Sequence, residues 1–122
     1  MAKTILIVDD SASLRTAVKI ALTGAGYEVI EGCDGRDGLA KLDGRKVHLI
    51  ISDVNMPNMD GISMVQAIKQ NPAYKFTPII MLTTEAGSDM MEKGKAAGVK
   101  AWVVKPFKPE QMLQAVSKLI LP

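Results

Sequence analysis

The chain has 122 residues, 48% of them hydrophobic and 23% charged, with a formal net charge of +2. That length corresponds to one domain with enough apolar material for its own core, so no disulfide or structural metal is needed to hold it together. The near-balanced charge argues against a nucleic-acid binder, the single cysteine excludes an internal disulfide, and no apolar run approaches the roughly 18 residues of a membrane span.

The charge is unevenly spread. Residues 1–92 carry 9 Lys or Arg against 12 Asp or Glu, whereas residues 93–122 carry 6 Lys against Glu110 alone. The basic last quarter is either a set of solvated helix faces or a partner surface. The apolar run 5–8 is too short for a signal peptide and stops at Asp9-Asp10, so a reducing, cytoplasmic setting is expected. In that setting Cys33 is expected to be a buried or semi-buried, inert thiol.

In chain order, the run 5–8 (ILIV) predicts a strand, and 11–24 a helix through Leu14, Val18, Ala21 and Leu22, with Ser11 as N-cap and Gly24 and Gly26 ending it. Residues 27–31 alternate, which predicts an edge strand with one wet face. A short helix follows at 35–43 through Leu39 and Leu42. The run 47–51 (VHLII) predicts a third strand, and Met64, Val65 and Ile68 mark a helix that begins near Ile62 and ends before Asn71-Pro72. A fourth strand is predicted at 78–82 (PIIML), a glycine-interrupted and therefore weak helix at 86–97, a fifth strand at 101–104 (AWVV), and a last helix at 109–120 with Pro109 in its first turn. Continuous apolar strands alternating with amphipathic helices predict an α/β fold: (βα)5 with a five-stranded parallel sheet covered on both faces.

Open sheets of this kind bind ligands beyond the carboxyl ends of their strands. The residues there are Asp9-Asp10 after strand 1, Asp53 after strand 3 with Asn55 two positions on, Thr83-Thr84 after strand 4, and Lys105-Pro106 after strand 5. Three carboxylates in one crevice resist ionising together. A hard divalent cation with oxygen ligands, Mg²⁺ before Zn²⁺, resolves that repulsion, and Mg²⁺ held this way commonly serves a phosphoryl group. A lysine and a hydroxyl beside it suit phosphoryl oxygens, and a carboxylate is a competent nucleophile. Each element alone has a plainer reading: an acid pair is often a helix N-terminal pair, Lys-Pro a solvated turn, and Thr83 a local cap.

The joint pattern resembles the receiver domains of two-component response regulators, through "ILIVDD" (5–10), "DVNMPNMDG" (53–61), "IIMLTT" (79–84) and "VVKPF" (103–107). The resemblance covers 1–122 as one receiver domain of the stand-alone, CheY-like kind used in chemotaxis. It implies a flavodoxin-like sheet in the order 2-1-3-4-5. It also implies that Asp53 accepts the phosphoryl group, and that Asp10, Asp53 and the Asn55 carbonyl hold Mg²⁺, with Asp9 acting through a water. Lys105 then contacts phosphoryl oxygens, and Thr83 and Trp102 form the switch. Asn55 and Glu85 bear on phosphate lifetime, as does Thr84, a larger residue than the family usually has there. The resemblance implies a cis Lys105-Pro106 bond, which an X-Pro peptide permits; the residues alone leave cis and trans both open. The implied partners are a CheA-like histidine kinase, a phosphatase, and a target such as a flagellar switch protein. That target docks on the face of helix 4, strand 5 and helix 5, where Lys93, Lys95, Lys100, Lys108 and Lys118 are expected. A monomer that binds neither nucleic acid nor membrane is implied: a switch assisting its own phosphorylation rather than an enzyme acting on external substrates.

Other roles are weighed beside this. A phosphate sink or phosphorelay receiver uses the same site. An aspartyl-phosphate phosphatase needs a second carboxylate where Asn55 stands. A flavodoxin-like nucleotide or flavin binder needs a glycine-rich loop where Asp9-Asp10 stand. His48 is expected to be structural. Met56, Met59, Met64 and Met112 are expected to be packing residues, with Met90 and Met91 either packing or adaptable partner contacts.

Overall fold

The computed structural model describes residues 3–54, 56–83 and 88–120, with backbone alone over 88–91. Five strands, β1 (Thr4–Val8), β2 (Glu28–Gly32), β3 (Leu49–Asp53), β4 (Ile79–Thr83) and β5 (Ala101–Val104), form one parallel sheet in the order β2-β1-β3-β4-β5. The helices α1 (Ala12–Gly24), α2 (Gly35–Lys41), α3 (Gly61–Lys69), α4 (Ser88–Ala97) and α5 (Pro109–Leu119) alternate with them. Strand β3 runs two residues beyond its apolar stretch and β4 one, so Asp53 and Thr83 are the last residues of strands and not the first residues of loops.

The continuous apolar runs are explained by helices on both faces. Ile5, Ile7, Leu49, Ile51, Ile80 and Leu82 point to one side, where α1 contributes Val18 and Leu22 and α5 contributes Met112 and Val116. Leu6, Val8, Ile50, Ile79 and Met81 point to the other, against Met64, Val65 and Ile68 of α3. Residues i and i+2 thus serve one core and i+1 the other, which leaves no position in β3, β4 or β1 beyond Thr4 for a wet side chain. Burying each such Ile or Leu is worth about 2 kcal/mol in transfer free energy. Strand β2 is at the sheet edge as expected, but only Glu28 is exposed and both of its faces are partly covered, so the expected wet face is not formed.

Local chemistry sets the helix starts. Ser11 caps α1 by accepting from Leu14 N at 3.2 Å, Asp34 caps α2 by accepting from Asp37 N at 2.8 Å, and Asp60 caps α3 by accepting from Ser63 N at 2.7 Å. His48 is structural: its Nδ1 accepts from Thr4 N at 3.0 Å, and desolvation, helped by Lys3 and Lys46, lowers its pKa. Met64 and Met112 are buried in the two cores, and Met56 and Met59 pack at the margin of one; the side chains of Met90 and Met91 lie outside the described residues.

Cys33 corrects the sequence reading, because it is exposed. It lies in the turn between β2 and α2, where its N–H donates to Asp37 Oδ2 at 2.9 Å. Local desolvation and the Asp37 carboxylate push the thiol pKa up. The thiol is therefore open to solvent and not packed in the core.

In α4, the glycine that weakens the helix has a packing reason. A Cβ on Gly94 would overlap the ring of Trp102 on β5. The indole lies across the helix at that point and borders a groove with Glu92, Lys95, Val99 and Lys100. Gly94→Ala is therefore expected to destabilise the protein by about 1–3 kcal/mol through overpacking. In a Trp102→Ala background the same change should stabilise it by about 1 kcal/mol through helix propensity. Urea unfolding of the four proteins measures this, and an equal effect of Gly94→Ala in both backgrounds would contradict the contact.

Candidate phosphoryl and metal site

Register brings the polar residues together. Val8 pairs with Ser52, so Asp9 and Asp53 stand side by side one residue further on, at the carboxyl ends of β1 and β3. Strand order reverses direction between these two central strands, which opens the crevice there. Thr83 pairs with Val104, and Lys105 N donates to Thr83 O at 2.8 Å, which brings Lys105 to the same rim. The Lys105-Pro106 bond is cis.

Asp9 is fully buried, Asp53 is 6% exposed and Thr83 is 2% exposed, whereas Asp10 is exposed. One carboxylate oxygen from each of Asp9, Asp10 and Asp53 lies within 4.8 Å of the other two. Lys105 Nζ lies 3.1 Å from Asp9 Oδ2 and 3.1 Å from Asp53 Oδ1. Asp9 Oδ1 accepts from Ser11 N at 2.8 Å, and Asp53 Oδ1 accepts from Val54 N at 2.8 Å. Burial pushes the Asp9 carboxyl pKa up; Ser11 N–H and Lys105 oppose this, and Asp53 adds to it. Burial pulls Lys105 down, but Asp9 and Asp53 outweigh it and leave the ammonium pKa raised. The site thus holds three acids and one cation, with its most buried acid reluctant to ionise. All-oxygen donors at this spacing and an excess of negative charge fit a hard divalent cation.

The β3–α3 loop is pinned from three sides. Gly61 N donates to Val54 O at 2.8 Å, and a Cβ on Gly61 would overlap the Asp53 carbonyl. Asn58, at φ 68°, donates from Nδ2 to Asp34 Oδ2 at 2.7 Å. Gly35 leaves room for Met59 O, which a Cβ there would meet at 2.6 Å. The backbone N–H of Asp37 and the Asn58 amide hold the Asp34 pKa down, so the clamp carries a charged acceptor.

The structure therefore brings together Asp9, Asp10, Asp53, Thr83 and Lys105. Trp102, on β5 three residues before Lys105, packs its ring against Gly94 of α4. Asn55, Thr84 and Glu85 lie outside the described residues. Of the basic residues expected on the output face, Lys95 and Lys100 flank Trp102 and Lys108 and Lys118 are exposed on the α5 side. Lys93 instead borders the groove between α3 and α4 with Gln66 and Lys69, a correction that follows from its helical phase. Ser11, expected as a helix cap, has a second role through its N–H on Asp9, whereas Gly61 and Glu31 are supporting residues that the motif reading passed over; the "MDG" before α3 was the signal for Gly61, and Glu31 had none.

Removing the ammonium tests the charge balance. Lys105→Met leaves Asp9 and Asp53 without their shared counter-charge and should cost about 2 kcal/mol in EDTA, below the 3–5 kcal/mol of a fully buried pair because the lysine is partly solvated. Added Mg²⁺ should narrow the gap to wild type, because a bound cation takes over the neutralisation. A gap that Mg²⁺ leaves unchanged in thermal unfolding would contradict this arrangement.

Comparison with known proteins agrees with this geometry. The model of the response regulator receiver domain family matches residues 5–117. Protein PilG of Pseudomonas aeruginosa is 36% identical over 112 residues, 92% of this chain and 83% of that protein. Chemotaxis protein CheY1 of Helicobacter pylori is 38% identical over 119 residues, 96% of this chain and 95% of that one. The solved structure of Vibrio cholerae chemotaxis protein CheY4 superposes with a TM-score of 0.94 at 46% identity, covering 98% of this chain and 99% of that one. With its sheet order, its acidic crevice and these relatives in agreement, the chain belongs to the response regulator receiver domain family.

Proposed function

We propose that residues 1–122 act as one stand-alone receiver, a cytoplasmic switch that takes a phosphoryl group on Asp53 from the phosphohistidine of a CheA-like histidine kinase. The observation that carries this reading is the placement of Lys105 Nζ 3.1 Å from both Asp9 and Asp53, within a cluster of three carboxylates at the β1 and β3 ends. An Asp53 carboxylate oxygen forms the new bond to phosphorus as the phosphorus–nitrogen bond of the donor breaks, and the imidazole leaves. Lys105 turns from its carboxylate partners to the phosphoryl oxygens, and the Thr83 hydroxyl donates to them. Asp9, Asp10, Asp53 and the Asn55 carbonyl are the groups to hold Mg²⁺, which when bound neutralises charge on the transferring group. Burial of Asp9 and Asp53 keeps water from screening these contacts.

The switch joins the site to the output face. Thr83 ends β4, Met81 pairs with Trp102, and Trp102 rests on α4. Recruiting the Thr83 hydroxyl to a phosphoryl group alters the packing beside β5, and the indole turns inward behind it, reshaping α4, β5 and α5 for a target. The chemotaxis names of the relatives favour motor control, with a flagellar switch protein as target, over a phosphate sink or relay. Asn55, Thr84 and Glu85 set how fast water, helped by a phosphatase, removes the phosphoryl group. The domain works as a monomeric switch and turns over no external substrate.

Trp102 fluorescence tests the switch. Beryllofluoride or a small phosphodonor should change it in the presence of Mg²⁺, and Asp53→Asn should abolish the change. A mutant that responds like wild type would remove Asp53 from its role. Thr84→Ala should lose its phosphoryl group faster than wild type in a single-turnover decay, whereas equal rates would show that the threonine does not narrow the water's path.

A further inference from the structure

Arg15, in the first turns of α1, is held well away from solvent, with a side chain 17% exposed. Its Nη1 donates to the backbone carbonyl of Asp9 at 2.5 Å, and its Nε lies 3.4 Å from Glu31 Oε1 at the end of edge strand β2. Lys19 Nζ, one turn further along α1, lies 3.6 Å from Glu31 Oε2. The Asp9 carbonyl belongs to the peptide that joins Asp9 to Asp10. Because that peptide is planar, fixing its oxygen fixes the direction in which the chain enters Asp10. The other members of the acid cluster have further restraints: Asp9 Oδ1 accepts from Ser11 N and Asp53 Oδ1 from Val54 N. Among the described residues no hydrogen bond or ion pair holds the Asp10 carboxylate, and that residue is exposed. Its place beside Asp9 and Asp53 therefore depends on the backbone that carries it.

We infer that Arg15 is a positioning residue for the divalent-cation site: with Glu31 as its anchor, it holds the Asp9 carbonyl and so aims the Asp10 carboxylate at Asp53. The inference rests on the cation reading of the acid cluster. An arginine suits the task because its planar fork reaches a carbonyl and a carboxylate in fixed directions, whereas a lysine offers one point charge on a flexible stem.

The sign of the effect separates positioning from simple electrostatics. Arg15 is a cation near a cation site, so removing its charge alone should tighten Mg²⁺ binding. Loss of positioning should weaken it. Amide shifts followed by NMR during a MgCl₂ titration measure the affinity of the folded protein directly. Arg15→Met is expected to weaken Mg²⁺ binding by about tenfold, as removal of outer-shell partners of metal ligands does. Lys19→Met, which removes the same charge from the same network without touching Asp9, should bind Mg²⁺ as tightly as wild type or more tightly. Arg15→Lys keeps the charge but loses the planar fork, and should still weaken binding, by less than the roughly tenfold expected of Arg15→Met. Should Arg15→Met fail to fold, Arg15→Lys decides alone. Wild-type affinity or tighter in the folded Arg15 variants overturns the inference while leaving the site intact. A wild type that shows no saturable Mg²⁺ shifts at Asp9, Asp10 and Asp53 overturns the cation reading itself.

Discussion

The ammonium of Lys105, equidistant from Asp9 and Asp53 across 3.1 Å contacts, is the interaction on which the polar end of this fold depends. Each contact represents on the order of 5 kcal/mol of gross attraction at an effective dielectric of about 20. Desolvating a carboxylate or an ammonium costs several kcal/mol apiece, so the two sides nearly cancel. The pair of contacts holds the crevice in shape without making it strongly stable. That near-balance suits the proposed role, in which a cation brought in, or a phosphoryl group added, shifts the sum in a direction that Lys105 can follow.

The apolar architecture makes such a site tolerable. Strands β1, β3 and β4 are buried on both faces, and their combined hydrophobic burial offsets the cost of the carboxylates at their ends. Because Asp53 and Thr83 are strand residues, their positions follow from ladder hydrogen bonds and core packing and not from loop conformation. The loop that leaves Asp53 is restrained in turn, by Gly61 against the Asp53 carbonyl and by Asn58 on Asp34. Trp102 rests against α4, with Gly94 making the room. The strands thus fix the residues of the proposed site, and Trp102 joins β5 to α4 at the proposed output face.

Much of this was legible in the residues. Apolar runs without alternation announced strands covered on both faces, and the residues that ended them (Asp9, Asp53, Thr83, Lys105) announced the crevice, because a parallel sheet gathers its carboxyl ends whatever their separation in sequence. Strand ends slipped by one or two residues, since a buried Asp53 or Thr83 at the end of a ladder reads as loop when hydrophobicity alone marks the strand. Cys33 was misplaced because nothing in its neighbours distinguishes a turn thiol from a core one. Lys93 was misplaced because a helix weak in aliphatic residues has no clear apolar stripe from which to count phase. Arg15 and Glu31 could not have been paired from sequence: their contact depends on how α1 leans over the end of β2, which is a packing outcome.

Everything proposed about the switch passes through one covalent event, and that event leaves a permanent record if trapped. Borohydride reduces an aspartyl phosphate to homoserine, and peptide mass mapping then reads its position. Treatment with a small phosphodonor and Mg²⁺ followed by reduction should yield homoserine at position 53 and nowhere else. Homoserine at position 9 or 10, or aspartate retained at all three positions, would contradict the assignment of Asp53 as the phosphoryl acceptor.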